Sequence, residues 1–334
     1  MSPNKPTPSF NTVKKSNRQA RRQRKKYSRV LLLAIFAVTA LLLLTSLIFG
    51  VCLMVDGLIG DTETPVPPPT NNNANSSIQY DRVTQLASGI RQGILLNVND
   101  QHAFDFENEI DMKNIAENRA NYQEEFNTYS VIDLSWMLES ETLDAFNRMM
   151  LKYYEVFGEE EHIWVVSAYR SYEDQLQGSY DSLPGFSDHH TGLCVAIKTG
   201  DRSGANRREL DAEHWIYQNC HKYGFVVRYP DHKSEITGIS GYDYCLRYVG
   251  VAHATYMTQY DLCLEEYTKH VSEVATKDNP IKFQAVDGNQ YSVYYVKAED
   301  DLITLEVPKN YNYTISGDKI GGCIITVNFN QPKN

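Results

Sequence analysis

The sequence predicts a body of mixed helices and strands held behind a membrane-spanning segment. Three observations predict it. An apolar run of β-branched and aromatic type, Ile163-Trp164-Val165-Val166, has the composition of a buried strand. Leu143, Phe146, Met149, Met150, Tyr153 and Phe157 recur at helical spacing, the mark of a helix with one face in a core. Val30 to Val55 is free of charge over 26 residues, and at 1.5 Å per residue that is enough to cross a hydrocarbon layer of ~30 Å.

Taken in order, the chain divides into five parts. Residues 1–29 form a basic tail with 10 Lys or Arg and no acid. A basic flank before a long uncharged segment marks the cytoplasmic side, and the length favours an uncleaved signal anchor over a removable leader. Residues 30–55 are the expected transmembrane helix, which places the body outside the cell membrane. Residues 56–78 read as a linker, because Pro65-Val66-Pro67-Pro68-Pro69 and Asn71-Asn72-Asn73 disfavour regular structure. Residues 79–275 make the main domain. Within it Gly93 to Asn97 reads as a strand and Met112 to Phe126 as partly helical. A helix is expected from Ser140, its N-cap, to Gly158. Strands follow at 163–166 and 193–197, and a helix through Trp215, Ile216 and Tyr223 stops at Gly224. One helix then carries Tyr256, Tyr260, Leu264 and Tyr267. Residues 276–334 form a small β-rich appendage, with Asp287-Gly288 as a hairpin turn and strands at 303–307 and 324–329.

Charge narrows the function. The net charge of −10 conceals an asymmetry: beyond the basic tail, 22 basic residues face 42 acidic ones, a balance of −20. Such a body has no electrostatic footprint for nucleic acid. Six cysteines occur without metal-type CxxC spacing, so no disulfide framework is implied and the thiols are read as small buried groups.

Four blocks carry a family resemblance: Ser167-Ala168-Tyr169-Arg170-Ser171 with Gln175, Ser187-Asp188-His189 with Gly192, Tyr223-Gly224-Phe225 through Tyr229-Pro230, and Arg247-Tyr248-Val249-Gly250. In this order and spacing they resemble the VanY-type D-alanyl-D-alanine carboxypeptidases, zinc peptidases of the bacterial cell wall. The likeness runs from Gly93 to Tyr267. It implies an α+β fold of the Hedgehog/DD-peptidase type, with helices packed on an antiparallel sheet. It also implies a substrate groove in which Arg170, Gln175 and Ser187 hold the peptide, the Arg170 fork suiting a carboxylate.

The same resemblance exposes departures at the catalytic centre. His189 falls on the family's first zinc ligand. The Asp ligand is replaced by Ala196, the His ligand by Cys245 and the catalytic Glu by Tyr242, with Asp243 next to it as a displaced base. Cys194 lies two residues from Ala196 on one strand and so shares its face, which makes His189, Cys194 and Cys245 an alternative zinc set. The expected function is therefore a membrane-anchored, catalytically inactive pseudopeptidase without a cofactor, binding peptidoglycan stem peptides or a cell-wall protein partner. The alternative is an active zinc carboxypeptidase working through a rearranged site.

Overall fold

The computed structural model describes residues 78–333 except 123–128, 159–161, 179, 181, 201–210, 243 and 300. The basic tail, the uncharged segment at 30–55, nearly all of the linker and Asp243 lie outside the described residues. Among the described residues no helix is long and apolar enough to cross a membrane.

The chain passes through β1 (Tyr80–Leu86), β2 (Met112–Asn114), α1 (Ile115–Tyr122), β3 (Tyr129–Val131) and β4 (Met137–Glu139) before the main helix, α2 (Ser140–Phe157). The expected stripe is the buried face of α2: Leu143, Phe146, Met149, Met150 and Tyr153 are fully enclosed. The cap lies one residue earlier than expected. Glu139, not Ser140, occupies the N-cap, and its carboxylate accepts the Glu141 and Thr142 amides at 3.1 and 2.8 Å. A carboxylate there satisfies two otherwise unpaired amides and meets the positive end of the helix. Gly158 closes the helix at φ +61°.

Next come β5 (His162–Ser167), α3 (Tyr172–Gln177), β6 (Cys194–Gly200), α4 (Asp211–Asn219), β7 (Phe225–Val227), α5 (Ser234–Thr237) and β8 (Cys245–Tyr248). The central sheet has the order β3-β5-β6-β8-β7. β5, β6, β8 and β7 pair antiparallel as expected, whereas β3 joins the edge parallel to β5. The parallel pair follows from α2, which returns the chain to the same end before β5; parallel neighbours need such a crossover. α2 covers this sheet, and its apolar face shares one core with Ile163, Val165, Val195 and Leu246.

The segment at 93–97 is not a strand. Its backbone groups go to partners from other parts of the chain: Arg247 Nη2 donates to the Ile94 and Leu96 carbonyls at 3.0 and 3.3 Å, and the Leu95 amide donates to Ser316 Oγ at 2.8 Å. Beyond Gly250 two helices replace the expected one, α6 (Val251–Gln259) and α7 (Leu264–Val274). Asp261 turns the chain at φ +50°, and Cys263 starts α7 with its amide on the Glu266 carboxylate at 3.0 Å.

The β-rich end comprises β9 (Ile281–Gln284), β10 (Gln290–Lys297), β11 (Leu302–Pro308), β12 (Tyr311–Gly317) and β13 (Gly322–Pro332). β12-β13-β10-β9 form one sheet, and the β9–β10 hairpin turns at Asp287-Gly288 with Gly288 at φ +81°. β11 pairs instead with β1 from the start of the body. α7 contributes Leu264, Tyr267 and Val271 to a core shared with Val293 and Ile324 of the β-rich end.

Candidate active site

The site forms where β5 ends, before β6 begins and before β8 begins. After β5 the chain turns through Ala168 to Arg170; ahead of β6 lies a single tight turn, Asp188–Thr191, capped by Ser187. Gly192 ends that turn at φ +72°, and a Cβ there would sit 2.9 Å from Met112 Sδ and 3.2 Å from the Glu139 amide. The turn is anchored from below. Asp188, wholly buried, accepts Arg228 Nε at 2.5 Å and a short contact from Arg247 Nη1. Burial alone would raise the Asp188 carboxyl; Arg247 and Arg228 outweigh it and hold the group below the ordinary carboxylate range. Arg228 is in turn gripped by Glu265 of α7 at 2.7 and 3.0 Å.

This anchor sets two adjacent histidines to different tasks. His190 Nδ1 donates to the Arg170 carbonyl at 2.7 Å, and its Nε2 accepts the Gly185 amide at 3.0 Å. Both nitrogens are spent, the ring is neutral, and burial pushes its pKa down. His190 therefore shapes the loop that presents Arg170, a role no local sequence pattern announces. His189 Nδ1 donates to the Ala168 carbonyl at 2.7 Å, which turns its Nε2 lone pair toward β8. Tyr242 meets that nitrogen through its hydroxyl at 3.2 Å, and Cys245 Sγ lies at 3.8 Å.

The strand register explains the convergence. Ala196 and Cys245 are direct partners across β6 and β8, and Cys194 stands opposite Arg247. All three are fully buried. The two thiols are free, and each bears on the other's ionisation. Burial opposes ionisation of both. For Cys245 the Cys194 thiol and His189 reverse that effect and bring it down to about 6, whereas Cys194 is pushed well up. Burial, with Cys245 beside it, also pushes the Tyr242 phenol above its ordinary value. Tyr242 thus keeps its proton and cannot act as a base at neutral pH.

The cavity above these residues has a volume of about 380 Å³ and is lined by Arg170, Ser187, His189 and Tyr242, which brings four of the expected site residues together. Gln175 stands behind the wall, its amide donating to the Ser182 carbonyl at 2.6 Å. Arg170 is 7% exposed, its Nη2 donates to Ser187 Oγ at 3.2 Å, and its guanidinium lies 3.9 Å over the Tyr180 ring. Its Nε has no hydrogen-bond partner, and among the described residues Arg170 meets no carboxylate. Trp136, Tyr180, Tyr229 and Tyr244 add an aromatic lining that the four sequence blocks did not announce.

Three donors and an open position are what a catalytic zinc requires. Here Ala196 offers no donor, the Tyr242 hydroxyl engages His189 Nε2, and no group of three His, Cys, Asp or Glu among the described residues is placed to hold a metal ion. The residues present do not fit the family's zinc.

A mixed sheet backed by α2, with the tight histidine turn leading into its central strand β6, is the arrangement of the D,D-peptidase fold class. The family profile described as VanY, D-alanyl-D-alanine carboxypeptidase, matches residues 133–251. The chain is 30% identical over 264 residues to a D-alanyl-D-alanine carboxypeptidase of Enterococcus faecium, covering 77% of this chain and 82% of that protein. It is also 30% identical over 135 residues to the bifunctional D-Ala-D-Ala dipeptidase and carboxypeptidase VanXYC of Enterococcus gallinarum, covering 35% of this chain and 71% of that protein. The crystal structure of the D,D-dipeptidase VanXYg with a D-Ala-D-Ala phosphinate analogue superposes with a TM-score of 0.64 at 25% identity, over 75% of this chain and 99% of that one. This chain belongs to the D-alanyl-D-alanine carboxypeptidase family.

Proposed function

We propose that this protein is a membrane-anchored, extracytoplasmic member of its family that binds D-alanine-terminated peptidoglycan stem peptides without cleaving them. One observation carries the reading. Arg170 is buried and lacks a carboxylate among the described residues, and it lines the cavity in which the Tyr242 hydroxyl meets His189. A guanidinium held on an aromatic ring at the wall of a cavity has the fork geometry that suits a carboxylate, and a peptide ending in D-alanine supplies one. The bound D-Ala-D-Ala analogue of the related VanXYg supports that choice of ligand. The hydrolytic half is unsupported: Tyr242 is a protonated phenol where a base is needed, and the donor set is incomplete.

The anchor is proposed from the basic tail and the uncharged 26-residue segment, and protease added to intact cells should remove the body. The alternative, an active carboxypeptidase with a rebuilt site, draws on the Cys245 to His189 separation of 3.8 Å and the thiol contact to Cys194. One experiment separates the two. The full-length chain and Arg170→Ala are titrated with diacetyl-lysyl-D-alanyl-D-alanine, while D-alanine release and bound zinc are measured. The expected result is saturable binding, weakened roughly 10- to 100-fold in Arg170→Ala because a charge-assisted contact is lost, with no release. Release accompanied by stoichiometric zinc would establish the alternative, and equal binding by both proteins would remove the ligand.

A further inference from the structure

We infer that a second cavity, adjoining the Arg170 cavity, receives a cationic side chain of the bound peptide. The protein then selects D-alanine-terminated peptides in which a diamino acid with a free amine precedes the D-alanines. This inference rests on the peptide reading above. The second cavity has a volume of about 320 Å³. Ser182, Tyr229 and Ile239 line both cavities, so the two meet along these residues.

The cavities differ in charge. The lining of the first carries two cations, Arg170 and Lys198, and no carboxylate among the described residues. Lys198 stands two residues beyond Ala196 on β6 and therefore shares its face. In the second cavity the charge is negative: Asp100 is the one charged residue of its lining among the described residues. Asp100 is exposed, and among the described residues neither a hydrogen bond nor an ion pair engages its carboxylate. The turn that carries it is closed on itself. Asn99 and His102 exchange backbone bonds at 3.2 and 3.1 Å, and Asn99 Oδ1 accepts the Gln101 and His102 amides at 3.1 and 3.2 Å. Val98, fully buried, fixes the start of the turn to the body.

The other walls of the second cavity are largely apolar, formed by Leu183, Phe186, Tyr229 and Ile239. Leu183 is 71% exposed, and the Phe186 amide donates to its carbonyl at 3.0 Å, which sets both side chains on one short turn. Apolar walls with a single carboxylate match a side chain that has a hydrocarbon stem and an ammonium tip. Such a chain lays its stem along apolar surface and keeps its charged head in water. Lysine is the common case, a compact point charge on a flexible four-carbon stem. With the terminal carboxylate of the peptide at Arg170 and its ammonium at Asp100, the two charges of the ligand meet the two opposite charges of the protein. An acidic side chain at the same position would be repelled by Asp100.

The test uses the full-length chain and two peptides, Nα-acetyl-L-lysyl-D-alanyl-D-alanine with a free ε-amine and its diacetyl counterpart, with affinities read by isothermal titration calorimetry at low salt. Because Asp100 is exposed, water screens the pair, and wild type should prefer the free amine by about three- to fivefold. The ratio of the two affinities should fall to near one in Asp100→Asn. It should persist in Glu299→Gln, which removes an exposed carboxylate from the C-terminal β-rich end. Reading a ratio within each protein cancels any loss of folded material. A wild-type ratio below twofold, a ratio unchanged in Asp100→Asn, or one lost equally in Glu299→Gln would overturn the inference. Binding of the diacetyl peptide that depends on Arg170, without preference for the free amine, would remove this inference and leave the peptide reading standing. No saturable binding of either peptide would remove both.

Discussion

At the scale of single residues, the site is set by a few side chains on two paired strands and one tight turn. Ala196 and Cys245 face each other across β6 and β8, and Cys245 Sγ lies 3.8 Å from His189 Nε2. The Ala168 carbonyl orients His189, and two arginines clamp Asp188. On the proposed reading, adding donors at these positions should create a metal site. Ala196→Asp and Cys245→His would place an oxygen and a nitrogen beside His189, and Tyr242→Glu would free Nε2 while supplying a base. These residues act as a unit, since a base has nothing to activate without metal-bound water. Elemental analysis of the full-length protein should find about one zinc in the triple variant, and little in wild type or the single variants. Larger side chains in a settled core cost ~1–3 kcal/mol, so folding is checked by circular dichroism. A folded triple variant without zinc would show that the surroundings have drifted as well, and a zinc-loaded wild type would remove the inactive reading.

At the scale of elements, legibility depended on how local the determining contacts are. α2 announced itself because its buried face repeats within its own sequence, and β5 and β6 because β-branched runs carry their own signal. The stretch at 93–97 misled for the opposite reason. Its apolar residues are buried as in a strand, yet its backbone is satisfied by Arg247 and Ser316, which lie about 150 and 220 residues away. β1 and β12 went unread because their exposed and buried positions alternate with polar residues that mark edge strands as readily as loops. The single helix expected beyond Gly250 overlooked Asp261, whose positive φ is a tertiary choice no helix pattern reveals. In the site, His189, Arg170 and Ser187 were legible through motif order. The roles of His190 and Tyr180 were not, because a ring hydrogen-bonded to a distant carbonyl, or stacked under a guanidinium, leaves no periodic trace.

At the largest scale, the described body is tied to the C-terminal sheet through a buried polar junction as well as through a shared apolar core. His253 of α6 bonds Tyr267 of α7 through Nδ1 at 2.6 Å and Thr326 of β13 through Nε2 at 3.1 Å, so one ring joins two helices of the body to the C-terminal sheet. Burial brings its pKa down from 6.5 to about 3. The sign follows from linkage. In the folded state His253 stays neutral, whereas the unfolded chain takes up a proton below the ordinary histidine value, so acid favours unfolding. The neutral ring contributes stability that is fully present above pH 6.5 and is lost as pH falls toward 3. Within that window the difference of one proton corresponds to ~1.4 kcal/mol per pH unit. Chemical denaturation of the full-length chain at a series of pH values should show this slope, superposed on that of the carboxylates. His253→Gln, which keeps a donor and an acceptor but cannot titrate, should lower stability at pH 7 through imperfect packing and flatten the profile by about one proton. An unchanged slope in a folded His253→Gln would mean that the junction already opens in the native state, and the C-terminal sheet would then separate from the body before the core unfolds.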